Sequence, residues 1–310
     1  MIRQVQRVGF TVSDLDRVLA FYTQVLPFEI INDYEVLSKP CEKLTGIFGA
    51  RMRVVTLGLG QEQIQLTQFM APPGGRPIPP DSRSNDLWFQ HLAIVVSDMD
   101  TAYATLRGHN VQHVSTAPQT LPDYITAAAG IRAFYYRDPD GHNLELIWFP
   151  EGKGATRWQS KKRLFLGIDH TAISIAHTER SLRFYRDILG LTIAGGRENY
   201  GTAQEHLNMV FGAHLNITGL KAPEGGMDIE FLHYLSPPGG RPMPVDTRPN
   251  DLWYWQMTML VPDAQAAYTQ FREAGVAVIS ADIVTLPDGE KAFLVRDPDG
   301  HAAQIVELKV

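Results

Sequence analysis

The chain has 310 residues, 44% hydrophobic and 20% charged, with a formal net charge of -6. This is the composition of a folded protein with room for two domains of ordinary size, and it excludes extended disorder. The acidic balance gives no electrostatic reason to expect nucleic acid or an anionic membrane as a partner. The one cysteine, Cys41, has no internal disulfide partner and fits a reducing compartment. Residues 1–20 carry Arg3, Arg7, Asp14, Asp16 and Arg17 rather than a signal-peptide apolar run, and no later stretch approaches the roughly 20 apolar residues of a membrane span. A cytoplasmic location is the expectation.

Residues 7–30 read as a strand, an acidic turn and a helix whose apolar face carries Leu15, Val18, Leu19, Tyr22 and Leu26. Asp14 is placed to cap that helix, its carboxylate accepting free first-turn amides. Extended stretches follow near 51–58 and 62–70. Residues 90–111 repeat the plan, and 131–149 supply two strands joined by DPDG, whose proline and glycine suit a tight turn. KGATRWQSKKR, 153–163, reads as a solvated basic linker. Beyond it come a strand at 169–175, a helix at 178–189, a strand at 255–261, a helix at 264–274 and a second DPDG hairpin within 292–308.

APPGGRPIPPDSRSNDLWFQ at 71–90 returns as SPPGGRPMPVDTRPNDLWYW at 236–255, so the chain is a tandem repeat. Each half divides again, giving four βαβββ units of an α+β protein. The expected domains are 1–155 and 166–310, with a linker at 156–165. The duplicated PPGGRP and R-x-NDLW segments read as structural straps in which Arg76, Asp81, Asn85 and Asp86 hydrogen-bond across an irregular path. Registering the halves matches His91 with Gln256, Glu145 with Gln304, Phe10 with His170 and Gln65 with Glu230. Two histidines and two glutamates survive among the eight places.

The DPDG hairpins followed by NLEL or AAQIVEL, the histidines at strand starts, and the FYTQVLPFE and FYRDILGLT helices resemble the vicinal oxygen chelate family, which includes glyoxalase I, bleomycin-resistance proteins, methylmalonyl-CoA epimerase and extradiol dioxygenases. The resemblance spans both halves and implies that pairs of βαβββ units build two cupped sheets. It also implies divalent-metal ligands on the first and last strands of each unit.

Strand alternation turns His91 with Ala93 and Val95, and Glu230 with Leu232 and Tyr234, to one side. Glu145 sits between Leu144 and Leu146, where an unpaired carboxylate would be costly and a cation beside it relieves the cost. If each half closes on itself, neither cavity has a full donor set. If the second unit pairs with the third and the first with the fourth, one cavity collects His91, Glu145, His170 and Glu230, and the other collects Phe10, Gln65, Gln256 and Gln304. The crossed arrangement is favoured because it segregates strong donors from weak ones.

Two imidazoles and two carboxylates suit one divalent ion per chain, with Fe, Ni, Zn, Co and Mn not distinguished. The expected function is a metal-dependent lyase or isomerase of glyoxalase I type, acting on a small carbonyl or thioester-related substrate through an enediolate with Glu145 or Glu230 as base. A ring-cleaving or other non-haem dioxygenase, with Glu230 off the metal, is one alternative, and a metal-free small-molecule binding or resistance protein is another. Arg137, Arg197, Asn199 and Tyr234 are candidate substrate contacts. A small-molecule substrate is expected, with the chain working as a monomer or homodimer.

Overall fold

The computed structural model describes residues 1–73, 75–238 and 240–309. The first unit comprises β1 (Gln4–Thr11), α1 (Leu15–Gln24), β2 (Glu29–Leu37), α2 (Lys39–Thr45), β3 (Arg51–Leu59) and β4 (Glu62–Ala71). The second comprises β5 (Gln90–Val96), α3 (Met99–Gly108), the short β6 (Gln112–His113) and β7 (Gln119–Thr120), β8 (Arg132–Arg137) and β9 (Asn143–Trp148). In the third are β10 (Phe165–Ile175), α4 (Thr178–Leu182) running into a π-helical turn at Arg183–Ile188, β11 (Thr192–Tyr200), α5 (Thr202–Asn208), β12 (His214–Lys221) and β13 (Asp228–Ser236). The fourth has β14 (Trp255–Val261), α6 (Ala264–Glu273), the short β15 (Ala277–Val278) and β16 (Val284–Thr285), β17 (Lys291–Arg296) and β18 (Ala302–Glu307).

Three of the six strand-to-helix turns end on an aspartate that caps the helix. Asp14 accepts from the amide of Arg17, Asp98 from that of Thr101 and Asp263 from that of Ala266. Each bond satisfies an amide that the helix itself leaves without a partner.

The units pair across the halves. One sheet runs β15-β17-β18-β14-β1-β4-β3-β2, with β16 on β17, and the other runs β11-β12-β13-β10-β5-β9-β8-β6, with β7 on β8. Antiparallel contacts β1–β14 and β5–β10 form the two seams. The helix-facing sides of both sheets share one core, to which α1 supplies Leu15, Val18 and Tyr22, α3 Met99 and Leu106, and α6 Phe271. Full burial of each such side chain contributes about 1.5–3 kcal/mol.

The straps lock the crossing reciprocally. Arg76 donates from its backbone amide and Nε to Asp251 and from Nη1 to Asp246, while Arg241 makes the same contacts with Asp86 and Asp81. Each guanidinium also lies 4.7 Å from a tryptophan ring, Arg76 over Trp253 and Arg241 over Trp88. The straps approach so closely that a Cβ on Gly75 would fall 1.5 Å from the Asn250 carbonyl oxygen, and one on Gly240 1.6 Å from that of Asn85. No side chain fits at either place.

The DPDG turns do more than reverse the chain. Asp138 Oδ1 accepts the amides of Asp140 and His142, and the His142 ring spans Asp138 Oδ2 at 2.9 Å and the Leu252 carbonyl at 2.8 Å. In the other hairpin Asp297 receives the amides of Asp299, Gly300 and His301, and the His301 Nε2 faces the Ser174 carbonyl. The first hairpin is thereby pinned to the strap of the other half, and the second to β10 of its own half, a strand of the opposite sheet.

One expected match is corrected. Arg7 pairs with Gln63 and Gly9 with Gln65 on β4, just as His170 pairs with Asp228 and Ala172 with Glu230 on β13. Arg7, not Phe10, therefore occupies the place of His170, and Phe10 corresponds to Ile173. Both Phe10 and Ile173 belong to the helix-side core, where the Phe10 ring packs on Tyr22, His142 and Trp255. Both seams slip immediately before the matched residue, between Val5 and Arg7 and between Ile168 and His170. A bulge of this kind re-aims the side chain that follows it.

Candidate metal centre at the β5–β10 seam

Four strands of one sheet converge on a buried cluster. Ala172 of β10 lies opposite His91 on β5 and beside Glu230 on β13, while Ala93 of β5 lies beside Glu145 on β9. The small Ala93 and Ala172 leave the space into which the longer side chains turn. His91, Glu145 and His170 are all buried. The His91 Nε2 lies 3.0 Å from Glu145 Oε2, and the His170 Nε2 lies 3.7 Å from Glu145 Oε2 and 3.4 Å from Glu230 Oε2. The donors expected from the crossed arrangement are thus brought together.

Neither ring nitrogen of His91 has a hydrogen-bond partner, although Glu145 lies within 3.0 Å of Nε2. The carboxylate is near but misaligned, so the two groups aim at common space rather than at each other. An orphaned buried imidazole is costly unless something else fills that space. Ligands held about 2.1 Å from one ion at right angles stand about 3.0 Å apart, close to the spacing found here. His91, Glu145 and His170 therefore fit a divalent cation, and the three form a cluster of donors able to hold one.

Supporting contacts set the orientation of His170. Its Nδ1 lies 2.9 Å from Asp169 Oδ2, and Asp169 Oδ1 accepts from the indole of Trp158 at 2.6 Å. This carboxylate directs Nε2 into the cluster, an arrangement usual for ligating histidines. Burial opposes charge on His170, but Glu230, Asp169 and Glu145 outweigh it and raise its pKa to about 9. Trp158 belongs to the short 3-10 turn Thr156–Gln159, and the neighbouring Arg157 pairs with Glu62 at 2.6 Å. The segment expected to be a solvated linker is in part a buttress of the site.

Glu230 is held differently from Glu145. Arg197, on β11, donates to both its oxygens at 3.0 and 3.2 Å. Burial pushes this carboxyl up, but Arg197 and His170 prevail and hold it down at about 2. A cavity of about 80 Å³ adjoins the cluster, lined among others by Tyr135, Glu145, His170, Arg197, Asn199 and Glu230. Burial and the nearby Glu145 push the Tyr135 hydroxyl well up, so it stays protonated.

Of the expected substrate contacts, Arg197 and Asn199 line this cavity. Asn199 begins a buried amide chain, donating to Gln204, which donates to Asn208, which donates to the Tyr234 hydroxyl. Tyr234 thus stands behind the wall rather than on it. Arg137 lies elsewhere: its Nη2 donates at 2.8 Å to the Ser82 carbonyl of the first strap. Its place at the end of β8 suggested the cavity, but the side chain is spent on the strap. Gln204, Asn208, Asp169 and Trp158 were not expected at the site. Only the four-residue spacing of Gln204 and Asn208, one face of a helix, hinted at a polar pair.

Comparison with known proteins agrees with this architecture. The model of the Glyoxalase/Bleomycin resistance protein/Dioxygenase superfamily matches residues 4–146 and again 167–305. A 2-epi-5-epi-valiolone epimerase from Actinomyces is 34% identical over 154 residues, 48% of this chain and 80% of that protein. Glyoxalase I from Zea mays superposes with a TM-score of 0.63 at 17% identity, covering 98% of this chain and 92% of that one. A putative dioxygenase from Bacillus subtilis superposes at 0.59 with 13% identity, covering 99% and 85%. The two structures share the fold. The repeated family match, the crossed βαβββ pairing and the buried His-Glu-His cluster establish that this chain belongs to the Glyoxalase/Bleomycin resistance protein/Dioxygenase superfamily, the vicinal oxygen chelate proteins, as a tandem member.

Proposed function

We propose that the chain is a metal-dependent isomerase or epimerase that moves a proton on a carbon beside a carbonyl, through an enediolate, with Glu145 as the base. The observation that carries this reading is the contrast between the two acids. Both oxygens of Glu230 are occupied by Arg197, whereas Glu145 borders the cavity with no hydrogen-bonded partner among the described residues. A carboxylate fixed in an arginine fork is a poor proton acceptor, which favours Glu145 over Glu230 as the base.

His91, Glu145 and His170 would hold the ion, with Glu230 in reach as a fourth ligand. When bound, a divalent ion supplies Lewis-acid polarisation of a carbonyl oxygen. The protein's own groups do the rest. Glu145 takes the proton and returns it, the Tyr135 hydroxyl is available as a donor, and the Asn199 Oδ1, buried without a partner, can accept from a substrate hydroxyl. The likeness to a 2-epi-5-epi-valiolone epimerase supports epimerisation of a small carbonyl compound as the reaction class.

The test is proton NMR of the metal-loaded protein in D2O with small hydroxyketones. The reading expects deuterium at the carbon beside the carbonyl and a loss of about 10²–10⁴-fold in exchange rate for Glu145→Gln. No exchange with any of them would overturn it.

A second reading, a ring-cleaving dioxygenase, is favoured by the same arginine fork. With Glu230 withdrawn, two histidines and one carboxylate remain, a set suited to non-haem iron. Oxygen uptake by the iron-loaded protein with catechols would support that reading instead.

A further inference from the structure

A second cavity, larger than the one beside the metal cluster, contains none of that cluster's donors. It encloses about 460 Å³ on the first sheet, at the β1–β14 seam, and its lining includes Arg7, Gln65, Gln256 and Gln304. By strand register these four correspond in turn to His170, Glu230, His91 and Glu145. Every metal-site donor has been exchanged for a guanidinium or an amide. The two carboxylates are gone and a fixed positive charge stands where an imidazole stood. That pattern is more than loss of a cation site, since aliphatic replacements would have abolished metal binding equally well.

The polar groups are arranged to donate. The Tyr254 hydroxyl donates to Gln256 Oε1 at 3.2 Å, and Gln256 Nε2 donates to Gln304 Oε1 at 2.6 Å. Each amide oxygen already accepts one bond, and the Gln304 Nε2 has no acceptor among the described residues, which leaves it available to a ligand. Arg7 has a buried Nε with no hydrogen-bond partner and forms no ion pair among the described residues. Burial outweighs the pull of Glu290, Tyr34 and Asp288 and lowers its pKa. A half-buried guanidinium with an unpartnered Nε and no ion pair can be stabilised by a ligand anion.

The rest of the wall limits what that anion can be. Leu44, Met52, Val54, Phe69, Leu286 and Leu294 supply apolar surface. Glu35, Asp288 and Glu290 also line the cavity, Glu35 paired with Arg51 and Glu290 with Lys309, and they disfavour a second negative charge on the occupant. The volume lies in the range of small-molecule sites.

We infer that this cavity is a second, metal-independent binding site for a small monocarboxylate with an apolar body, the carboxylate held by Arg7 and Gln304. The site is distinct from the proposed reaction centre and does not depend on what reaction occurs there.

Titration calorimetry of the full chain with benzoate, benzamide and phthalate tests it. Benzoate is expected to bind one per chain with affinity around 1 mM or tighter, and at least about tenfold more tightly than neutral benzamide or dianionic phthalate, the loss expected when a charge-assisted hydrogen bond is removed or a like charge is added. Arg7→Met should weaken benzoate by about tenfold or more, and His91→Ala should leave it unchanged. Gln304→Leu gives an independent reading of the same site should Arg7→Met fail to fold, with weakening again expected. Benzoate binding that survives both Arg7→Met and Gln304→Leu, or that disappears in His91→Ala, would overturn the inference, as would its absence from the wild-type chain.

Discussion

Arg197 grips both oxygens of Glu230 at 3.0 and 3.2 Å, beside a His170 whose Nε2 is 3.4 Å from the same carboxylate. The fork spans β11 and β13 and makes two similar glutamates unequal. Removing one partner of a buried pair leaves the other charge uncompensated. Arg197→Met should destabilise the metal-free protein by about 3 kcal/mol, and added zinc should recover more stability in the variant than in the wild type, because the freed Glu230 joins the donor set. Urea unfolding with and without zinc measures both effects; no change in metal-free stability would count against the fork.

The pH dependence of the metal-free protein follows from the same cluster. His170 is raised to about 9, so its contribution is fully present below the unfolded value near 6.5 and is lost as pH rises through about 9. Glu230 is lowered to about 2, so its contribution is present above the ordinary value of 4.5 and is lost as pH falls through about 2. These two groups therefore favour stability between about pH 4.5 and 6.5. Metal affinity should run the other way, rising with pH towards 9, because a ligating His170 must give up its proton. Melting curves and zinc titrations across that range check both slopes.

Asp169 acts through His170 rather than on a substrate. Asp169→Asn keeps the size and loses the charge, and should weaken metal binding by about 10–100-fold while leaving the fold intact. Competition against a chelator measures the shift, and an unchanged affinity would reduce the Asp169 contact to simple packing.

The straps carry a purely structural prediction. Gly75→Ala and Gly240→Ala each place a methyl within 1.6 Å of a backbone carbonyl oxygen. Each should cost about 1–3 kcal/mol or more, the scale of overpacking, with both halves unfolding together because the straps join them. Calorimetry reads the loss and its cooperativity.

Much of this was legible in residues that alternate along strands. Glu145 between two leucines and His91 at the start of an apolar strand marked an inward polar face, and the segregation of donors pointed to crossed pairing. The match of Phe10 with His170 failed because the helix starts, Asp14 in the first half and His177 in the second, set the register of the first strands and match Arg7 with His170. DPDG was readable as a turn, but the long-range grip of His142 on Leu252 depends on where the strap passes. Arg197 sits in GGREN, a stretch of largely exposed strand whose pattern gives no sign of a buried partner. Trp158 hid among basic residues whose neighbours are solvated.

The central claim is one shared cation between distant parts of the chain, and elemental analysis of purified variants tests it most directly. The account predicts about one divalent ion per chain in the wild type, loss of that ion in both His91→Ala and His170→Ala, and retention in Gln256→Ala and Gln304→Ala. Full metal content in His170→Ala, or two ions bound per wild-type chain, would contradict it.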